Sequence, residues 1–175
     1  NIAIAVPYVP PTYIGGETSI YYLTKEQAKL GINIDLFTTK VPLKRGDWDW
    51  SHVNLYESGC LFKVGHTPIM PSLLPKMLKN GRYDLIYTAV PSGFACDISA
   101  LVSNIKRSPL VILYHCDVIP STITTRAYSS FLRLYTLRQA NRIISTTGSY
   151  AKTSPILNHF SNKVSIVSLG ADPAR

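Results

Sequence analysis

Short runs of β-branched and other apolar residues alternate with helix-like segments along almost the whole chain. That order predicts a parallel sheet whose crossover helices cover its faces. Ile2 to Val6, Tyr83 to Tyr87 and Leu110 to Tyr114 read as buried strands, because a continuous apolar run suits a strand covered on both sides. Ile32 to Thr38, Leu61 to Val64, Arg142 to Ser145 and Val164 to Val167 add four more strands. Helical spacing is expected over 17–30, 72–80, 94–106, 126–140 and 149–160. The longest of these carries Tyr128, Phe131, Leu134 and Tyr135 on its inner stripe. Gly31 stands where a helix C-cap glycine belongs. The stretch from Lys40 to Ser58, with Asp47-Trp48-Asp49-Trp50, reads as an irregular exposed loop. The expected class is therefore α/β, a Rossmann-like parallel sheet with helices on both faces.

At 175 residues the chain suits one compact domain, and 46% hydrophobic residues supply the core of such a sheet. Lys and Arg outnumber Asp and Glu by 18 to 10, a formal charge of +8. That favours anionic partners: nucleotide phosphates, acidic membrane surfaces or nucleic acid. The tightest basic groups are pairs, Lys44-Arg45 and Lys106-Arg107, and no aromatic platform or groove-reading motif accompanies them, so nucleic acid is not an expected partner. Cys60, Cys96 and Cys116 form no CxxC pair, and the last two lie in apolar segments where small buried thiols are common. There is no signal-peptide pattern and no apolar run of the ~20 residues a membrane helix needs. A reducing, cytoplasmic setting is expected. The chain opens inside a strand without an initiator Met and stops just after another strand, so both ends are expected to be cut.

Sheets of this kind bind ligands at the carboxyl ends of their strands, where strand order reverses. The loops after Val6, Tyr87 and Tyr114 are therefore the places to search. Gly15-Gly16 precedes a helix beginning near Glu17; two glycines let the backbone approach a phosphate, and a helix start favours negative charge. The same pair also serves a plain turn, and no G-x-G-x-x-G is present. His115-Cys116-Asp117 follows the strand ending at Tyr114. A histidine there is placed to bond a ligand and titrates near neutral pH; it equally suits a structural bond to a backbone carbonyl. Ala89-Val90-Pro91-Ser92-Gly93 offers room for a ligand and a hydroxyl donor in Ser92, or ordinary loop chemistry. His52, His66 and His159 fall in separate segments without metal-ligand spacing, so no metal site is expected. The helix from Ser72 sets Leu73, Leu74, Met77 and Leu78 opposite Lys76 and Lys79, with Arg82 beyond. Such a face suits an anionic membrane surface or the flank of a sheet.

Taken together, these segments resemble the N-terminal domain of family 4 glycosyltransferases of the GT-B fold. Val9-Pro10-Pro11 followed by Gly15-Gly16-Glu17 is similar to the family's first loop, beneath the donor diphosphate. Residues 23–39, LTKEQAKLGINIDLFTT, are similar to its first helix, glycine turn and second strand. Tyr83-Asp84-Leu85-Ile86-Tyr87 resembles its "yDlIh" strand, with Tyr87 in place of a histidine, and Leu113 to Asp117 resembles "tyHgD", with Cys116 at the small-residue place. Ala140 to Thr147 resembles a further strand, and Val164 to Asp172 resembles the "vipnGvD" segment before the interdomain linker.

By that resemblance, residues 1–175 form the acceptor-side half of a retaining glycosyltransferase whose donor-binding C-terminal domain is absent from this chain. Its substrates are a nucleotide sugar and a sugar or lipid-linked acceptor, with no cofactor or metal. The resemblance makes His115 catalytic and sets Gly15 and Gly16 at the donor diphosphate. It lines the acceptor cleft with Pro11, Glu17, Ser92, Gly93 and Asp117. The helix of Lys76, Lys79 and Arg82 would give peripheral contact with an anionic membrane on its cytoplasmic face. The family's second domain carries an E-x7-E motif, and no glutamate pair here has that spacing. A non-catalytic Rossmann-like module binding an anionic ligand, or half of a GT-B sugar-nucleotide epimerase, fits the same residues.

Overall fold

The computed structural model of the chain describes residues 1–11, 16–41, 48–117 and 134–170. In chain order its elements are β1 (Ile2–Ala5), α1 (Gly16–Lys29), β2 (Ile34–Thr39), β3 (Asn54–Ser58), β4 (Phe62–Val64), β5 (Thr67–Ile69), α2 (Leu73–Lys79), β6 (Leu85–Val90), α3 (Gly93–Lys106) and β7 (Leu110–Tyr114). Helical residues 134–139, here α4, lead to β8 (Arg142–Ser145), α5 (Gly148–Thr153), α6 (Pro155–Asn158), a 3-10 turn (Ser161–Lys163) and β9 (Val164–Ile166). Seven strands form one sheet in the order β3-β2-β1-β6-β7-β8-β9, every pair parallel. The remaining two, β4 and β5, make a separate antiparallel hairpin.

This order follows from handedness. The chain steps one way from β1 to β3, then returns past β1 and steps the other way from β6 to β9. Right-handed crossovers put the connections of the two halves on opposite faces. The strand period of two then divides the core. Ile4 and Val6 of the first strand segment face Ile20 and Tyr21 of α1, together with Ile34, Leu36 and Trp50. Ala3 and Ala5 face the other way, toward Leu73 and Met77 of α2, Ala95, Cys96 and Ala100 of α3, Leu137 of α4 and Leu157 of α6. Each fully buried Ile or Leu in these layers stabilises the fold by about 1.5–3 kcal/mol over an exposed one. Helices thus cover both faces, as the alternation of runs predicts.

One buried charge also belongs to this scaffold. Asp35 of β2 is only 3% exposed, and its two carboxylate oxygens accept from Asn54 Nδ2 and Asn80 Nδ2, each at 2.9 Å. The pair of amides joins β3 and the turn after α2 to the central sheet, and answers both oxygens of a group that is costly to bury unpaired.

Several expected boundaries move. The third strand of the sheet is Asn54–Ser58, inside the stretch expected to be irregular, and Leu61 to Val64 belongs instead to the hairpin. β3 is an edge strand in which only Leu55 and Tyr56 stand between polar residues, so it lacks the apolar run that marks a central one. β6 continues to Val90, three residues past the expected end, and Ala89 and Val90 are buried in it. The single helix expected over 149–160 is broken at Ser154-Pro155. Proline supplies no N–H to continue α5 but suits the first position of α6. Ser154 closes the break: its backbone N–H donates to Tyr150 O, and its hydroxyl accepts from Leu157 N–H. Tyr128 and Phe131 lie outside the described residues, whereas Leu134 and Tyr135 pack on the core as expected.

All three thiols are free. Cys96 is buried, and burial pushes its pKa up to about 12. Cys116 is exposed, contrary to the reading of its segment as apolar interior, because it lies two residues beyond the end of β7.

Candidate functional site

The sheet's strand order reverses between β1 and β6, and at their carboxyl ends the two following loops part to opposite faces. A cleft of about 290 Å³ opens there, lined by Val6, Pro7, Tyr8, Gly16, Glu17, Ile20, Ala89, Val90, Pro91, Ser92 and His115. Ligand crevices in open parallel sheets form at this position, because the diverging loops leave the strand ends uncovered.

Each wall is fixed by the ladder beneath it. Val6 N–H donates to Phe37 O at 3.0 Å and Thr39 N–H to Pro7 O at 3.2 Å, which carries the β1–β2 pairing past the end of β1. Thr88 Oγ1 donates to Ala5 O at 2.8 Å across the β1–β6 seam. On the far side, His115 N–H donates to Val90 O at 3.1 Å, one residue beyond β7. That bond aims the imidazole into the cleft. It lies against the start of α1: a β-carbon on Gly16 would stand 3.5 Å from His115 Nε2. Ser92 precedes α3 without capping it through its side chain, so the hydroxyl is left to the cleft.

Burial holds the His115 pKa below its ordinary value of 6.5, with the Glu17 carboxylate acting weakly in the opposite direction. The imidazole is therefore neutral at pH 7, able to donate through one ring nitrogen and accept through the other. The site combines a neutral histidine, a hydroxyl, one carboxylate and the amino end of a 14-residue helix, α1. Such a set suits a ligand with hydroxyl groups at one end and negative charge at the other.

Of the residues singled out in the sequence, Gly16, Glu17, Ser92 and His115 meet at this cleft. Gly15 lies outside the described residues. Pro11 is half-buried in the loop after β1 and does not line the wall. Gly93 opens α3 with φ at +30°, a conformation that favours glycine, and stands behind Ser92. Asp117 turns away from the cleft: its Oδ1 accepts from Tyr114 Oη at 2.8 Å and from Ser154 Oγ at 3.1 Å. Tyr8 and Ile20 line the wall without having been singled out, and Ala89, Val90 and Pro91 of the loop marked in the sequence line it too. Tyr8 had a legible signal, an aromatic ring just past the first strand; Ile20 reads only as core.

Of the two readings of α2, the packing bears out the flank of a sheet. Leu73 and Met77 are fully buried, and Leu74 and Leu78 pack against the same core, so no apolar face of this helix is left for a membrane. Lys76 donates to the Glu57 carbonyl and Arg82 to the Arg107 carbonyl. Lys79 remains exposed. None of the helices among the described residues is long and apolar enough to cross a membrane.

A parallel sheet carrying its ligand cleft at the strand-order reversal defines a Rossmann-like domain, and comparison with known proteins specifies which kind. The sequence profile of Glycosyltransferase Family 4 matches residues 13–175, and the chain belongs to that family. O-antigen chain mannosyltransferase C of Escherichia coli is 25% identical over 167 residues, which is 94% of this chain and 44% of that protein. The crystal structure of Anabaena HepE in complex with UDP matches with a TM-score of 0.71 at 18% identity, over 98% of this chain and 44% of that one. That likeness shows the fold, the N-terminal half of a GT-B architecture. The chain spans less than half the length of both proteins.

Proposed function

We propose that the protein is a retaining glycosyltransferase in which this domain holds the acceptor and the diphosphate end of a nucleotide-sugar donor. The observation that carries the reading is the His115 imidazole set against Gly16 at the mouth of the strand-order reversal. The amino end of α1 offers backbone N–H groups to the diphosphate, and a residue without a side chain lets it come close. His115 is neutral and so does not serve as a counter-charge; it bonds a hydroxyl of the transferred sugar or acceptor. Ser92 bonds a second hydroxyl, with Glu17 accepting from a third.

In the transfer, the bond from the sugar C1 to the diphosphate oxygen breaks and one forms from C1 to an acceptor hydroxyl oxygen. The hydroxyl proton leaves on the diphosphate, on the face the leaving group vacates, which keeps the anomeric configuration. Backbone donors at α1 stabilise the charge that grows on the diphosphate. The base and sugar of the donor sit on a second, C-terminal domain, a division supported by the 44% share of both compared proteins. No cofactor or metal is assigned. The cleft walls carry one carboxylate and one imidazole, and among the described residues no group of three His, Cys, Asp or Glu side chains is placed to hold an ion.

The acceptor is a glycan carried on a lipid, with the protein peripheral on the cytoplasmic side of the membrane. The mannosyltransferase relative and the bound UDP of HepE guide the first assays: the full-length protein with UDP-sugars, then with mannosyl donors, and a glycolipid acceptor. Acceptor-dependent release of nucleoside diphosphate, lost in His115→Ala, is the expected result. Epimerised donor, or tight donor binding with no turnover in any combination, would replace the proposal with an epimerase or a binding module.

A further inference from the structure

At the end of the sheet opposite the cleft, the turns that lead into β6, β7 and β8 frame a second cavity of about 350 Å³. Arg82, Asn104, Arg107, Ser108, Gln139 and Asn141 line it, and among the described residues no acidic side chain does. Cations bound to neighbouring carbonyls fix where the charge stands. Arg82 Nη2 donates to Arg107 O and Arg142 Nη1 to Asn141 O, each at 3.1 Å. Lys106 Nζ donates to Gly81 O at 2.7 Å and Lys163 Nζ to Ala140 O at 2.9 Å, both carbonyls adjoining lining residues in the chain.

The acids of the surrounding elements are engaged elsewhere. The Asp84 carboxylate, nearest in sequence to Arg82, accepts from the Asn1 amino group at 2.6 Å, and Arg82 acts on it only weakly. Asp97 stands about two helical turns before Asn104 and accepts from Thr136 Oγ1 at 2.8 Å. Asp35 is held by its two amides. The cavity is therefore basic on balance.

Three groups on its wall lack an ordinary structural account. Arg107 closes α3 with φ at +52°, and among the described residues no other residue except glycine has a positive φ. Glycine fills that left-handed place at lower cost, so the fold carries backbone strain to keep a guanidinium there. Asn141 Oδ1 accepts from Leu110 N–H at 2.9 Å, which fixes the amide's orientation and leaves its two N–H donors for another partner. Ser108 is 4% exposed, and Ser103 bonds both its N–H and its carbonyl. Its hydroxyl nevertheless has no partner among the described residues, where a buried hydroxyl ordinarily finds one.

We infer that this cavity is a second anion site, in which Arg82 and Arg107 grip a phosphate group while Asn141 and Ser108 donate to its oxygens. Guanidinium forks match phosphate geometry, and a cavity this small suits a phosphate or a small phosphomonoester. The site goes beyond the proposed transfer reaction and stands without it, because the whole length of the strands separates it from the cleft.

The test is calorimetric titration of the full-length protein with inorganic phosphate at constant ionic strength, in excess UDP so that phosphate bound in the cleft is not counted. One saturable phosphate is expected, weakened about tenfold or more in Arg107→Gly and in Arg82→Gln, each of which loses a charge-assisted contact. In phosphate-free buffer Arg107→Gly should unfold at the parent's temperature or above it, because glycine relieves the left-handed cap. A cation at a helix carboxyl end also complements the helix dipole. Lowered stability with unchanged phosphate binding would assign Arg107 to that role and overturn the inference. Vesicles of phosphatidic acid in phosphatidylcholine, titrated in parallel, identify the source of the phosphate. Vesicle binding lost in Arg107→Gly assigns the site to a lipid headgroup, and phosphate binding alone assigns it to a soluble anion. No saturable binding of either probe by the parent, or equal binding by parent and variants, overturns it.

Discussion

The Nε2 atom of His115 lies 3.5 Å from the point where a β-carbon on Gly16 would begin. That separation is ordinary contact, so Gly16→Ala is sterically allowed. Alanine also favours the helix over glycine by about 0.5–1 kcal/mol in a helix interior, and by less in a first turn. The added methyl nevertheless covers part of the imidazole and of the helix start. Gly16→Ala is expected to leave the unfolding midpoint unchanged or slightly raised while lowering kcat/KM about tenfold or more, the loss of one good transition-state contact. Chemical denaturation beside steady-state kinetics checks both halves. Full activity would place the diphosphate elsewhere.

Under the proposed function, the state of His115 is expected to set the acid side of the activity profile. Burial holds its pKa below the ordinary 6.5, and Glu17 offsets part of that. Loss of kcat/KM on acidification is therefore expected below pH 6.5. Removing the carboxylate charge in Glu17→Gln removes the offset, so the acid limb should move to still lower pH. A limb that moves upward would mean that another group controls it.

Stability should follow the same sign. His52, whose Nε2 lies 3.0 Å from Thr24 Oγ1, also has its pKa lowered, chiefly by burial and against the pull of Asp49. Both histidines take up protons more readily in the unfolded chain than in the fold. Acidification below about 6.5, the unfolded value, then favours unfolding until the lower folded values are reached. Urea midpoints should be flat above neutrality and decline toward pH 5.5, with a shallower decline in His52→Gln. An unchanged slope in that variant would remove His52 from the account.

The Asp117 carboxylate is a brace between β7 and the break at Ser154. Tyr114→Phe removes its 2.8 Å bond and Ser154→Ala removes the 3.1 Å one together with the cap of α6. Each is expected to cost about 1–2 kcal/mol. Turnover by the folded fraction of Tyr114→Phe should remain near the parent value, because the hydroxyl faces away from the cleft. A selective loss of kcat with unchanged stability would return Asp117 to the site.

Asp35 tests the scaffold alone. Asn54→Ala and Asn80→Ala each leave one carboxylate oxygen of a buried charge without its amide, at an expected cost of about 1–3 kcal/mol. The double variant should cost more than the sum if the two amides share one charge. Additive losses would mean that water replaces each amide independently.

The central strands were legible because burial on both faces leaves uninterrupted apolar runs, as in Leu110–Tyr114. The cleft was legible in outline because topology directs the eye to strand ends, and Gly16, Glu17, Ser92 and His115 all lie there. The edge strand β3 was hidden because only Leu55 and Tyr56 stand between its polar residues. The apolar face of α2 was visible, but spacing alone does not say whether lipid or protein covers it, and Leu73 and Met77 lie in the core. Asp117 neighbours His115 in sequence, yet its bond to Ser154 is a tertiary fact that no local pattern carries.

Because the chain reverses between β1 and β6, the two loops that shape the cleft depart to opposite faces, and among the described residues no backbone hydrogen bond joins one to the other. Either loop is thus free to lengthen, shorten or change composition while the seven-stranded ladder below stays intact. Descendants of such a domain can drift toward new acceptors by editing one rim at a time. The contacts proposed for the leaving group belong to α1 and depend on neither rim.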